Sequence, residues 1–357
     1  MPPKPLPFEK DIHEVEESLG RLESDSDNSP EAAERIRQMR RDLTQLKRER
    51  YSKLTEWQTV LVARHPQRPQ TCDYINMVFE DFVELHGDRA IGDDRAIRCG
   101  FARLGGTRVI LIGHQKGRDL QERQSCYYGC AHPEGYRKAM RAMKLGAKFG
   151  LPVVCLIDTP GAFPGIGAEE RGQSQLIATS LLEMSRLPTP VVCIVIGEGG
   201  SGGALAIGVG DRVSMLQHAW YSVISPEGCA GILWKVADEK TKPMAASALK
   251  ITSDHLRKLD ILDEVIPEPL GGAHRDPREM ANTLKSTLSR YLRELTKMPL
   301  DQLLEARYQK FRLMGQYIDT LPPEEELSEE AGTPEEQAAQ VNGSHRAGKK
   351  APAGSQK

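Results

Sequence analysis

The stretch Gly197 to Gly210, GEGGSGGALAIGVG, places six glycines in its first dozen residues. It follows the apolar, β-branched run Val191 to Ile196 and leads into the small and apolar residues Ala204 to Val209. That order reads as strand, glycine turn, helix start. Glycines are costly to order, and these sit where a helix leaves backbone N–H groups without partners. Without Cβ atoms, Gly199, Gly200, Gly202 and Gly203 would let a ligand approach those amides, and the helix dipole adds partial positive charge. The chemistry this suits is stabilisation of an oxyanion by backbone donors.

Three other readings stay open. Gly197, Gly199 and Gly202 satisfy the dinucleotide fingerprint GxGxxG. That fingerprint also wants an acidic residue about 20 positions on, where this chain has Trp220, Tyr221, Ser222 and Val223. Gly199, Ser201 and Gly203 satisfy the serine-hydrolase elbow GxSxG, with His218, His255 and His274 downstream as bases. Inside a glycine run that match costs nothing. The plainest reading is a packing loop with no ligand.

The elements that must position this stretch are legible as a duplication. Pro152-Val153-Val154-Cys155 recurs 38 residues later (190 − 152) as Pro190-Val191-Val192-Cys193, and each copy opens an apolar strand ending in a glycine loop before a helix. In the first copy the loop is Asp158 to Gly167, DTPGAFPGIG, and a helix is expected from near Ala168, with Leu176, Ile177, Leu181, Met184 and Leu187 buried. Two such units set two groups of backbone amides side by side at one sheet edge.

Around this core, Phe8, Ile12, Val15, Leu19 and Leu22 form the seam of one helix, and Ile36, Met39, Leu43 and Leu46 that of a second starting at Ser29-Pro30, resumed by Leu54, Trp57 and Leu61 after a one-residue slip. The pair reads as a helical hairpin. A helix is expected over Asp73 to Leu85, then strands Ala96 to Leu104 and Arg108 to Gly113 joined at Gly105-Gly106. The polar run His114-Gln115-Lys116-Gly117-Arg118 follows the second strand, a usual place for ligand contacts. A helix over Pro133 to Phe149 carries Arg137, Arg141, Lys144 and Lys148 on one face, a surface for phosphates or an acidic carrier if not simply solvated. Arg212 to Ser225 reads as a strand pair, and Pro277 to Asp319 as helical. The expected divisions are 1–70 hairpin, 71–272 core, 273–320 C-terminal helices and 321–357 disordered tail, the last for its acidic run and lack of aromatics.

Composition excludes several classes. A formal net charge of -2 gives no basic balance for nucleic acid or an acidic membrane surface. No apolar run approaches a membrane span, the start MPPKPLPFEKDIHE lacks a signal core, and the seven cysteines, Cys155 and Cys193 among them inside apolar strands, suit a reducing cytoplasm. Cys126 and Cys130 have no second pair nearby, so no metal site is expected.

The runs LHGDRA (85–90), IGHQKGR (112–118), PEGYRKA (133–139), IDTPGAFPGIGAEERGQS (157–174), IGEGGSGGALAIGVGD (196–211), SVISPEGC (222–229) and IPEPLGGAHR (266–275) resemble the alpha subunits of multi-subunit acetyl-CoA carboxylase carboxyltransferases. The resemblance runs from about Phe8 to Asp319 and departs at Cys126-Tyr127-Tyr128-Gly129-Cys130. It implies an α/β, crotonase-like spiral of ββα repeats. It also implies a zinc-bearing beta subunit as partner in an alpha2beta2 assembly, with biotin carboxylase and a biotin carboxyl carrier protein completing the enzyme. The carboxyl group would pass from carboxybiotin on the carrier to acetyl-CoA, giving malonyl-CoA for fatty acid synthesis, with no cofactor bound covalently by this chain. Gly202 and Gly203 would hold the biotin oxygen, Pro160, Gly161 and Ala162 would shape the pocket, and Glu169, Glu170 and Arg171 would be structural or interfacial. A subunit acting on another acyl-CoA is the alternative within the family.

Overall fold

A computed structural model describes residues 5–25 and 29–315; the expected tail at 321–357 lies outside the described residues. The first apolar seam folds as α1 (Lys10–Asp25) against α2 (Pro30–Tyr51), burying Ile12, Leu19, Leu43 and Tyr51. Leu54, Trp57 and Leu61 do not prolong α2. Thr55 starts a separate helix, α3 (Glu56–Ala63), through a capping box in which its hydroxyl accepts from Gln58 N (3.2 Å) and Gln58 Oε1 accepts from Thr55 N (2.8 Å). The helical period expected over 73–85 also breaks, because α4 (Thr71–Val78) gives way to β1 (Glu80–Glu84), which pairs antiparallel with β2 (Ile97–Leu104). Sheet pairing there outweighs local periodicity.

Gly105 (φ 52°) and Gly106 (φ 90°) join β2 to β3 (Thr107–His114) in the two-residue left-handed turn that suits a hairpin. The chain continues through α5 (Leu120–Ser125), a tight turn at Tyr127–Gly129 and α6 (Pro133–Phe149), which has the expected bounds. Next come β4 (Val153–Thr159), α7 (Ile166–Glu170), α8 (Gln173–Ser185), β5 (Val191–Gly200) and α9 (Ser201–Leu205). The expected single helix after the first loop is two, because Gly172 adopts φ 84° between α7 and α8. The remainder is β6 (Arg212–Leu216), β7 (Trp220–Ser222), α10 (Pro226–Leu233), α11 (Thr241–Leu249), α12 (Ser253–Lys258), β8 (Glu264–Ile266), α13 (Pro277–Leu295) and α14 (Leu300–Arg312).

The sheet order is β1-β2-β3-β4-β5-β6-β8, antiparallel from β1 to β3 and parallel thereafter. The 38-residue repeat is the register itself: Val153 lies opposite Val191, Val154 opposite Val192 and Cys155 opposite Cys193. Both strands are buried along their whole length, as parallel strands covered on two faces require. The sheet turns at β5, whose first half (Val192–Val195) pairs with β6 while its end (Glu198–Gly200) pairs with β7. This handover is the step of the spiral. Two strands do lie in the expected 212–225 segment, but they do not pair with each other, since β6 and β7 each run parallel to β5. α6 packs on β2 and β3, and α13 on β5 and β8.

Candidate active site

Beyond Ile157 the register of β4 against β5 shifts, and Thr159 lies opposite Gly199, an offset of 40 (199 − 159) in place of 38. The two extra residues in β5 are Ile196 and Gly197. Asp158 fills the space there: a Cβ on Gly197 would sit 2.4 Å from Asp158 Oδ1, and the same oxygen accepts from Glu198 N at 2.9 Å. A carboxylate in one strand thus explains a glycine in its neighbour.

The glycine run is divided differently from the sequence reading. Gly197, Gly199 and Gly200 are strand residues of β5, and the turn itself is one residue, Ser201, at φ 50°. The helix begins there, so the N–H groups of Gly202 and Gly203 fall in its first turn, where no intrahelical acceptor exists. Gly202 is partly exposed and Gly203 is buried. Packing accounts for the missing Cβ atoms at these positions. A Cβ on Gly200 would lie 2.1 Å from Pro160 O, and one on Gly203 would lie 2.6 Å from Ala162 N and from Gly161 C. At Gly199 it would meet the Tyr221 ring at 2.8 Å, and at Gly202 the Ile177 side chain at 3.0 Å. The loops at Pro160–Ala162 and Ser201–Gly203, expected side by side, are in backbone contact. Thr159 Oγ1 braces the first loop, accepting from Gly161 N (3.0 Å) and donating to Gly129 O (2.7 Å).

Beneath both loops lies a charge network that the sequence reading missed. Lys116, just past the end of β3, donates from Nζ to Asp158 Oδ1 (3.1 Å) and to Glu198 Oε2 (2.5 Å). Arg64, following α3, donates from Nε to Glu198 Oε1 (2.6 Å) and pairs with Glu227 in the first turn of α10. Burial alone would raise the Glu198 carboxyl, but Lys116 and then Arg64 overcome it and hold it down at about 2. Burial pushes Asp158 up against the opposing Lys116, and the nearby Glu198 charge adds to the rise. His114, fully buried, is pushed down to about 3 by burial and then by the Lys116 charge. Arg64, Arg68, Lys116, Arg123, Tyr128 and Pro160 are among the residues lining a pocket of about 210 Å³ over this network. The signal was present: Asp158 and Glu198 are the carboxylates that close two otherwise apolar strands.

Other expected site residues lie elsewhere. Arg137 donates to Asp88 Oδ2 (2.8 Å), Glu134 Oε1 (3.0 Å) and Arg171 O (3.2 Å), and Arg141 donates to the carbonyls of His86 (3.1 Å) and Gly87 (3.0 Å). These bonds brace α6 and do not bring either arginine to Gly202 or Gly203. Arg171, expected to be structural or interfacial, donates from Nε to Glu134 Oε1 at 2.7 Å. Ser201 has the strained backbone of a hydrolase elbow, but its expected bases make their contacts with other residues, His218 and His274 through ring packing and His255 through a hydrogen bond. His218 lies edge-on to Tyr51, His255 bonds to Thr252 (3.0 Å), and His274 stacks on His65 at 3.8 Å. Among the described residues, no group of three or more His, Cys, Asp or Glu is placed to hold a metal ion.

The sequence matches the family described as acetyl co-enzyme A carboxylase carboxyltransferase-like over residues 5–315. It is 59% identical over 314 residues to the acetyl-coenzyme A carboxylase carboxyl transferase subunit alpha of Rhodopirellula baltica, covering 88% of this chain and 98% of the relative. It is 55% identical over 311 residues to the protein of the same name from Methylococcus capsulatus, covering 87% and 96%. Its fold is similar to that of the transcarboxylase 12S hexamer core solved with methylmalonyl-coenzyme A, with a TM-score of 0.50 and 23% identity over 62% of this chain and 41% of that one. The crotonase-like fold implied by the motifs is therefore present, and the chain belongs to the acetyl co-enzyme A carboxylase carboxyltransferase-like family.

Proposed function

We propose that this chain is the alpha half of a carboxyltransferase that moves a carboxyl group from carboxybiotin to acetyl-CoA and releases malonyl-CoA. The observation that carries the reading is the backbone contact between the loops Pro160–Ala162 and Ser201–Gly203 at the ends of neighbouring parallel strands, in a chain 59% identical to a curated alpha subunit. Breaking the N–CO2 bond of carboxybiotin places negative charge on the ureido oxygen. The ureido nitrogen then takes a proton from the acetyl methyl group, and the resulting carbanion attacks the CO2. The ureido oxyanion, and the thioester oxygen onto which the carbanion's charge delocalises, both call for preorganised donors, and each donor contributes on the order of 3–4 kcal/mol at such sites. Here the N–H groups of Gly202 and Gly203 are assigned to the ureido oxygen, with Pro160, Gly161, Ala162, Gly199 and Gly200 shaping the pocket. Arg137 and Arg141, already engaged with Asp88 and two carbonyls, enter only as a positive flank for CoA phosphates or an acidic carrier.

The acyl oxyanion and the zinc are assigned to a beta subunit, in an alpha2beta2 complex served by biotin carboxylase and the carrier protein. Exposed apolar side chains around the end of α10, Ile232, Leu233 and Val236, support a partner surface. All seven cysteines are free, in keeping with a cytoplasmic setting. No described helix is long and apolar enough to cross a membrane. The test is malonyl-CoA formation from carboxybiotin and acetyl-CoA by the purified chain with and without a zinc-bearing partner polypeptide, with propionyl-CoA as competitor. Activity only with the partner, and preference for acetyl-CoA, is expected; hydrolysis by the chain alone would contradict the reading.

A further inference from the structure

The geometry points to Lys116 as a positioning residue that fixes the spacing of the two loops, acting through Asp158 and Glu198. The inference rests on the carboxyltransferase reading above. Asp158 is separated from Pro160 by one residue, and Glu198 from Gly200 by one, so the ammonium ion bridges the root of the loop that shapes the pocket and the root of the segment that carries the assigned donors. The site is built for this side chain. A Cβ on Gly129 would lie 2.6 Å from Lys116 Cγ, so that glycine clears the lysine stem. Gly129 follows Tyr127 (φ 47°) and Tyr128 (φ 56°), two non-glycine residues held in left-handed backbone. The same Gly129 accepts through its carbonyl from Thr159, so the turn that houses Lys116 also holds the first loop. Arg64 extends the bridge outward from Glu198 to Glu227, joining α3 and α10 to the root of the second loop.

Buried ion pairs are a poor source of net stability against apolar packing, and they specify geometry where they are retained. Asp158 and Glu198 cannot both stay charged and close without a cation between them. Lys116 therefore does for loop spacing what no apolar residue could do there. It touches no reacting atom in this assignment; its effect reaches the chemistry through the orientation of the 160–162 and 201–203 backbone.

The test is K116M and the double variant K116M/D158N in the reconstituted complex, with kcat, KM for acetyl-CoA, melting temperature and partner association measured together. The expected result for K116M is a loss of about 100-fold in kcat, the scale set by ångström misplacement of reacting groups, with KM for acetyl-CoA within about 3-fold of wild type. K116M/D158N removes one buried negative charge along with the positive one, so its melting temperature is expected to recover while kcat stays low. Recovery of kcat along with melting temperature in the double variant would overturn the positioning role, as would wild-type kcat in K116M. If K116M does not fold, the double variant decides alone. A wild-type complex that makes no malonyl-CoA would instead overturn the function on which the role rests.

Discussion

Adding one methyl group at Gly203 tests the loop-to-loop contact directly. In Gly203→Ala the new Cβ would stand 2.6 Å from Ala162 N and Gly161 C, where ordinary contact begins at 3.4 Å, so the backbones must part by 0.8 Å (3.4 − 2.6). The helix itself gains from the change, since alanine is a better helix former than glycine. Overpacking of this size costs about 1–3 kcal/mol of stability, which a domain of this size survives. The larger effect is on turnover. A displacement near 1 Å costs about 100-fold in rate, equivalent to about 2.7 kcal/mol of barrier. The assay is steady-state malonyl-CoA formation by the reconstituted complex, with partner association checked by sedimentation. A fall in kcat with little change in KM for acetyl-CoA is expected. Gly202→Ala is the internal control, because its Cβ meets the end of the Ile177 side chain at 3.0 Å, which can move, and the loss there should be roughly tenfold smaller. Equal activity in wild type and Gly203→Ala would show that the contact between residues 161–162 and 203 does not set the geometry of turnover.

Ser201→Ala should keep turnover within about 3-fold of wild type, because the assigned donors are main-chain groups that survive the substitution; complete loss would favour a serine nucleophile. Acid should destabilise the protein through Glu198 and Glu268, the latter bound by Arg68. Burial raises each carboxyl, but the paired cations overcome it and hold both at about 2, below the ordinary 4.5. A depressed folded-state pKa gives stability that is present above the unfolded value and lost as pH falls from about 4.5 toward 2. Each contributes up to about 3 kcal/mol, while Asp158, shifted upward by burial, acts in the opposite sense and offsets part of the loss. The urea midpoint of the full chain, measured from pH 7 to pH 3, should hold until about 4.5 and then fall; a flat profile would contradict these pairings.

Much of this arrangement could be read from residue order alone where the determinants are local. The β2–β3 turn follows from Gly105-Gly106, α6 from Pro133 at its start and Gly150 after its end, and the side-by-side strands from the repeated PVVC. What could not be read depends on contacts across the chain. Glu198 lies beside Asp158 only because two residues bulge from β5, changing the offset from 38 to 40. Arg64 reaches Glu198 from the end of α3, 134 residues away in sequence. The glycines of β5 and α9 looked like space left for a ligand, yet Gly200 and Gly203 are occupied on their open sides by the backbone of residues 160–162. Sequence periodicity carries no information about which neighbour fills a missing Cβ.

In the proposed chemistry a main-chain N–H, rather than a titrating side chain, stabilises the charge that develops during carboxyl transfer. Replacing Gly203 with glycolic acid isolates that donor, because it exchanges the N–H for an ester oxygen and adds no atom to the crowded contact with residues 161 and 162. A fall of about 100- to 1,000-fold in kcat is expected for the assembled complex, the loss for one oxyanion donor. An ester variant that assembles and turns over at the wild-type rate would contradict it.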